Sequence, residues 1–360
     1  MKRIFILVTI ALFTVGAVFA EEAILIDFSK LTTDIYVDPG NPGGPANGEQ
    51  EPNQNKQTMV DFSAVAGGSF TTEQKQLMKT SLALPNWKVV LASSSRTVTN
   101  QSSSYTQAST SKQWGTVMGI RVHFPVEPFH SWARITTPFD IPAYDWTEVN
   151  DDGQVAEPEN VDRSTPSRFE GPASADDPKK ATGGYGLIKN VGSIKSIAAN
   201  VYGLNFPHSL SAILIDDKGI EKVVFLGYLN YDGWGELIWN NPAYVNEVRN
   251  REMRIYPLYP ASTPFVKFGG FLVQRDGAHE GGDFVAYFKD VKIIYDKAVL
   301  DTDRDIDDEA EWGIVNSRET DKKKFEMERF GQNQVLQYLE NQKKAPEAGF
   351  TPTATTGENQ

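Results

Sequence analysis

The spacing of apolar residues constrains the fold of this chain more than any other feature. In residues 117 to 124 they occupy alternate positions: Met118, Ile120, Val122 and Phe124. A period of two predicts a β-strand with one buried face. Similar segments bounded by turn residues are Ala23–Phe28, Trp87–Leu91, Ile194–Tyr202, Leu210–Ile215, Val223–Leu229, Glu236–Trp239, Phe265–Val273 and Phe284–Tyr295. About ten short strands with few helical windows predict a mainly β fold, a two-sheet sandwich of jelly-roll type.

The last long segment predicts an irregularity. Phe284, Ala286 and Phe288 share one parity, and the apolar residues from Val291 onwards take the other. A bulge near residues 289–290 would put both sets on one face. Between Ile215 and Ile220, the sequence Asp-Asp-Lys-Gly predicts a hairpin turn, because Asp and Gly tolerate the backbone angles of tight turns.

Two polar stretches interrupt the strand pattern. Residues 38–57 and 145–186 lack apolar periodicity and are predicted to be long loop insertions in a sandwich that spans residues 21–300. Such insertions are either contact surfaces or variable solvated loops, and the sequence leaves both interpretations open. A polar tail over 344–360 is predicted to be disordered.

The N-terminus resembles a secretory signal peptide, with two basic residues, a short apolar run and small residues that end at Ala20. Cleavage between Ala20 and Glu21 would leave 33 basic and 47 acidic residues, a formal charge of −14. Such a chain is repelled by nucleic acid and anionic lipid, so no nucleic-acid partner is expected. Since no later apolar run approaches the roughly 20 residues of a membrane helix, no membrane insertion is expected either.

No residue pattern indicates catalysis, a cofactor or a metal. The chain has no Cys, and its four His residues have no ligand-like spacing. Four alternating carboxylates, Asp301 to Asp307, resemble a calcium loop, but Ile306 and Trp312 stand where Gly and Glu are required. We therefore predict a protein that is not an enzyme. A glycosidase, which needs only two well-placed carboxylates, is the weaker alternative.

Residues 301–343 predict an acidic linker followed by a helical arm. Its apolar residues recur at roughly helical spacing, and Gly331 predicts a break into two helices. The apolar side either packs on the chain's own sandwich or docks on a neighbouring subunit. The candidate interface residues are Trp312, Phe325, Phe330, Leu336 and Leu339.

An aromatic segment follows the predicted strand at 223–229. Its rings could stack on sugars if they shared one sheet face, which would make a carbohydrate-binding platform of Tyr231, Trp234 and Trp239. Alternatively, Trp234 is a core residue that closes the edge of the sandwich.

Six phrases are distributed along the chain: Glu-Glu-Ala-Ile-Leu-Ile-Asp-Phe-Ser-Lys-Leu from Glu21, Pro-Asn-Trp-Lys-Val-Val-Leu from Pro85, Asn-Tyr-Asp-Gly-Trp-Gly-Glu-Leu from Asn230, Tyr-Phe-Lys-Asp-Val-Lys-Ile-Ile-Tyr from Tyr287, Glu-Trp-Gly-Ile from Glu311 and Gln-Tyr-Leu-Glu from Gln337. In their order and spacing they resemble the spirochaete flagellar filament outer layer family, FlaA, and its treponemal members most. The third and fourth are also similar to stretches in jelly-roll carbohydrate-binding modules, a galactose-binding-like fold.

The resemblance implies a structural protein that coats the periplasmic flagellum. It would surround a core of FlaB-type flagellins, contact other copies of itself, and contribute to filament stiffness and motility. The family carries no catalytic residues to this chain. The alternative from a different class is a secreted carbohydrate-binding module that uses the aromatic segment.

Overall fold

The computed structural model describes residues 20–31, 57–61, 71, 75, 79–149, 155–156, 165–177, 179–252, 256–257, 262–298, 300–301, 306 and 308–344. Its strands are β1 Glu21–Asp27, β2 Val60–Asp61, β3 Lys79–Thr80, β4 Lys88–Leu91, β5 Tyr105–Ser111, β6 Gly115–Phe124, β7 Ser131–Thr136, β8 Glu148–Val149, β9 Val155–Ala156, β10 Leu187–Lys189, β11 Val191–Leu204, β12 Ser209–Asp216, β13 Glu221–Tyr228, β14 Asp232–Asn240, β15 Tyr256–Pro257, β16 Phe265–Arg275, β17 Gly282–Lys297 and β18 Leu300–Asp301. The α-helices are α1 Val98–Ser102, α2 Tyr244–Glu252, α3 Asp308–Trp312 and α4 Ile314–Lys344.

Two six-stranded antiparallel sheets form the sandwich, which confirms the predicted fold class. The first sheet has the order β14-β11-β17-β6-β5, with β1 also paired to β17. The second has the order β13-β12-β16-β7-β4, with β10 also paired to β16. The chain crosses repeatedly from one sheet to the other, so both sheets contribute inward side chains to one core.

The core contains closely packed aromatic rings from both sheets. Phe271 of the second sheet lies 4.4 Å, between ring centroids, from Phe288 of the first. Phe28 packs edge-on against Trp87 and Phe268 beside this pair. Aromatic pairs of this kind contribute about 0.5–1.5 kcal/mol beyond their buried area, so these rings hold the two sheets together.

Strand β17 contains the predicted bulge. Asn200 of β11 pairs with Asp290 and the adjacent Val201 pairs with Phe288, so Lys289 has no partner on that strand. Phe288 and Val291 are both fully buried, as the parity change requires.

The hairpin at 216–219 is confirmed as well, since Gly219 donates its N–H to the Asp216 carbonyl at 3.0 Å and has a φ of +76°.

The polar segments are only partly described. Residues 38–56 lie outside the described residues, as do 150–154 and 157–164. Parts of the predicted loop insertion over 145–186 are buried, since Asp145, Phe169 and Tyr185 are almost inaccessible to solvent. Phe169 packs edge-on against Phe139, with 5.8 Å between ring centroids, so this part of the insertion packs with the sandwich.

One end of the core encloses a histidine. His208 stacks on Phe284 with 5.1 Å between ring centroids, and Phe124 and Phe206 flank it. Burial, with the nearby His279 and Arg275, lowers the pKa of His208 to about 4. The folded protein therefore favours the neutral imidazole.

We expect His208 to make the fold less stable in acid. The unfolded chain takes up a proton here more readily than the folded one, so stability falls as pH decreases from about 6.5 to about 4, by on the order of 3 kcal/mol. The variant His208→Phe, which keeps a ring against Phe284, should lose less unfolding free energy than the parent between about pH 7 and about pH 4. Guanidinium titrations at both pH values measure this, and equal losses in the two proteins would contradict it.

Candidate functional site

The C-terminal arm, formed by α3 and α4, is the first candidate site. It does not break at Gly331, as the sequence predicted, but at Gly313, which has a φ of +56° between the two helices. The carboxylate of Glu309 on α3 then accepts the backbone N–H groups of Val315 and Asn316, both at 3.0 Å. This cap satisfies donors that the start of α4 would otherwise leave free.

A buried carboxylate attaches α4 to the sandwich. The side chain of Asp145 is 0% exposed and pairs with Arg168 at 2.8 Å and with Lys323 of α4 at 3.2 Å. Burial alone would raise the pKa of Asp145, but the two cations and the N–H of Thr147 lower it to about 2. Asp145 is therefore ionised at neutral pH, and Lys323 supplies part of its charge compensation.

A second charged contact lies on β16. The Lys267 side chain is 3% exposed and donates to Asp140 at 3.1 Å. Burial, followed by the nearby Asp140, raises the pKa of Glu326 on α4 to about 7. The groove between α4 and the second sheet is lined by charged side chains, Lys88, Arg134, Asp140, Glu221, Lys267, Glu319, Lys322, Lys323, Glu326 and Arg329, and by apolar groups of the body that include Val60, Phe139, Tyr144 and Ile215. The residues that α4 contributes to this lining are all charged or polar. The arm thus meets the body through its charged side.

Another side of the arm leaves large apolar groups in solvent. We call Trp312, Phe325 and Leu336 the exposed stripe; they are 73%, 66% and 57% exposed. At about 100° per residue, positions 325, 336 and 339 lie within about 60° of one another, and position 330 lies about 140° from 325. Phe330 and Leu339 lie within α4, and their side chains are outside the described residues. The arm packs on its own sandwich, but not through this stripe, and docking of the stripe on a neighbouring subunit stays a prediction.

The three predicted sugar-stacking residues do not share a face. Strand β14 alternates, so Trp239 and Leu237 face the core while Trp234 and Ile238 face outwards. Tyr231, just before the strand, packs against the core and donates its hydroxyl to the Val201 carbonyl at 3.2 Å. Its burial raises the pKa of Tyr231 to about 12. Trp234 alone of the three lies on the outer face.

The remaining predictions concern the N-terminal cleavage, metal sites and membrane helices. Strand β1 begins at Glu21 and Ala20 is the first described residue, while the cleavage between them stays a prediction. No group of three or more His, Cys, Asp or Glu side chains that could hold a metal ion occurs within the described ranges. In that same part of the chain, no helix is both long and apolar enough to cross a membrane.

The chain matches the family model described as flagellar filament outer layer protein FlaA over residues 51–304. Flagellar filament outer layer proteins of Treponema pallidum (strain Nichols) and Spirochaeta aurantia are 46% and 44% identical to it. Both alignments cover 98% of this chain, with 97% and 96% of the respective relatives.

Among solved structures, the carbohydrate-binding module TmCBM61, in complex with β-1,4-galactotriose, is similar with a TM-score of 0.25 and 6% identity. That similarity covers 58% of this chain and 88% of the module. The family 11 module of the Clostridium thermocellum cellulase Lic26A-Cel5E has a TM-score of 0.24 and 8% identity, over 61% of this chain and 91% of its own.

We expect Lys323→Ala to loosen the arm. Removing Lys323 leaves the buried Asp145 carboxylate with Arg168 as its remaining cationic partner in the described contacts, which should cost about 1–3 kcal/mol. Hydrogen exchange over residues 314–344 should become faster, while exchange in β16 and β17 should not. Lys324→Ala, which removes an exposed neighbour, is the control. Equal protection of α4 in both variants would contradict this role for Lys323.

We also expect the arm to dock more tightly in mild acid. The folded state raises the pKa of Glu326, so it holds a proton that the unfolded chain releases, and stability falls as pH rises through about 7. Glu326→Gln mimics the protonated form. Protease cleavage of α4, normalised to cleavage of the free peptide, should increase between about pH 6 and about pH 8 in the parent but not in Glu326→Gln. The same pH dependence in both proteins would assign it to another group.

Proposed function

The chain belongs to the flagellar filament outer layer protein family, FlaA, and we propose that it is a sheath subunit of the periplasmic flagellum. In this proposal the subunit is exported to the periplasm, where its copies coat a core of FlaB-type flagellins. The coat raises the bending stiffness of the filament and so contributes to motility. The protein acts through geometry, without catalysis or a cofactor.

The exposed stripe is the observation that carries this proposal. A helix normally turns its apolar side towards its own core. Here the charged side of α4 contacts the body, through Lys323 and Asp145, while Phe325 and Leu336 remain exposed. Phe325 and Leu336 lie within about 20° of one another around the helix, and an apolar side left in solvent commonly marks a protein contact. We therefore assign Trp312, Phe325 and Leu336, with Phe330 and Leu339 as candidates, to contacts within the filament.

Contacts between subunits repeat along a filament, so each one can be weak while the coat as a whole is stable. A sheath subunit meets the core and neighbouring copies at once, so each further contact forms at a high effective concentration. Contacts between two different surfaces of identical subunits produce helical arrays, whereas self-complementary contacts close into dimers. A rigid sandwich with a helical arm offers two such different surfaces. These two surfaces support flagellins and other copies of this chain as the partners.

We expect the double variant Phe325→Ala and Leu336→Ala to bind filaments at least about tenfold more weakly than the parent, because it removes the apolar groups of the contact. Co-sedimentation of residues 21–360 with purified periplasmic flagellar filaments measures this. The control is Val126→Ala with Ile220→Ala, which removes side chains of similar exposure, 78% and 59%, from loops.

The two double variants separate the possible outcomes. Loss of binding in the arm variant alone supports the stripe as a contact. Equal binding in all three proteins would remove the arm from the proposal. If the parent protein itself does not sediment with filaments, the sheath function fails as a whole.

A further inference from the structure

A row of aromatic side chains crosses the outer face of the first sheet. Trp234 of β14 is the cross-strand partner of Tyr202 on β11, and Tyr202 is also the partner of Tyr287 on β17. The ring centroids are 5.4 Å apart in the first pair and 6.0 Å apart in the second. With strands about 4.8 Å apart, the three rings extend across the sheet for about 10 Å.

The Tyr287 ring lies beside a glycine of the next strand. The cross-strand partner of Tyr287 on β6 is Gly119. A Cβ atom there would lie 3.2 Å from the Tyr287 ring and 2.8 Å from the Ser109 hydroxyl, so a larger residue would crowd both side chains. Strand alternation directs Phe288 and Val201, the neighbours of Tyr287 and Tyr202, into the core.

A fourth ring and a polar cluster border the row. Trp114, from the β5–β6 turn, lies edge-on to Trp234 at 6.4 Å, and the Lys289 ammonium is 4.8 Å from its ring centre. Lys289 also donates to the buried Asp290 carboxylate at 2.5 Å, and Asn200 donates to its other oxygen at 2.6 Å. We use the name aromatic row for Trp114, Tyr202, Trp234 and Tyr287.

We propose that the aromatic row binds a neutral polysaccharide chain. Apolar ring faces beside a few fixed hydrogen-bonding groups are what a sugar requires, since its C–H faces are apolar and its hydroxyls must be satisfied. The Lys289 ammonium supplies a donor and the Asn200 amide oxygen an acceptor, and the bonds of both residues to the buried Asp290 hold them in place before a ligand arrives. The charges of Lys289 and Asp290 cancel, so the site suits a neutral ligand.

This inference is independent of the sheath proposal. The aromatic row lies on the first sheet, whereas α4 contacts Asp145 and Asp140, and Asp140 pairs with Lys267 of the second sheet. Variants of one surface therefore leave the other intact, and either proposal can fail alone.

The chain offers a matched pair of tryptophans for the test. Trp114 borders the aromatic row, and Trp132 lies on β7 of the other sheet; both are 39% exposed. Binding of cellohexaose, maltohexaose and chitohexaose to residues 21–360 is measured by titration calorimetry for the parent, Trp114→Ala and Trp132→Ala. Thermal unfolding checks that each variant is folded, and Trp114→Phe replaces Trp114→Ala if it is not.

We expect saturable binding of at least one hexasaccharide, weakened about tenfold or more by Trp114→Ala and unchanged by Trp132→Ala. No binding by the parent at millimolar saccharide would overturn the proposal. Equal loss in both tryptophan variants would also overturn it. If Trp114→Ala instead weakens filament co-sedimentation while no saccharide binds, the row is a protein contact and the proposal is wrong.

Discussion

The single unpaired residue in β17 determines much of this structure. β17 pairs with β1, β6 and β11, so its register determines which side chains of the first sheet face the core. Without the bulge at Lys289, one half of the strand would turn its apolar residues to solvent, because a shift of one residue reverses every side chain. The bulge leaves Phe288 and Val291 both buried. It also puts Lys289 and Asp290 opposite Asn200, so core packing and the polar border of the aromatic row have one origin.

Sequence alone predicted the strands whose two faces differ strongly. Among the strands of the two sheets, the predictions missed the three-residue β10 and also β5 and β7, where the contrast is weak: β5 reads YTQASTS, and β7 turns only Ser131, Ala133 and Ile135 inwards. The break was predicted at Gly331, yet a glycine within a long helix costs only about 1 kcal/mol and the helix continues through it. Gly313 ends α3 because its positive φ is incompatible with a continuous helix.

The candidate sites could not be predicted from the alternation of apolar and polar residues along the sequence. Tyr202 and Tyr287 are distant in sequence and become neighbours through the β11–β17 pairing. Trp234 and Trp239 are close in sequence but five positions apart, so a strand turns them to opposite faces. For the arm, spacing identified Phe325 and Leu336 as members of a stripe, but not which side would meet the body. That choice depends on Asp145 and Asp140, which lie far from the arm in sequence.

Charged docking explains how the arm can be held while its apolar residues remain available. An apolar contact between α4 and the sandwich would bury the stripe on its own subunit and leave little for a neighbour. Buried ion pairs add little net stability, but breaking one leaves an uncompensated charge, so they fix position more than they add strength. Asp145 with Lys323 therefore fixes the orientation of α4. In the proposed sheath, the hydrophobic free energy of Phe325 and Leu336 remains for association with a neighbour.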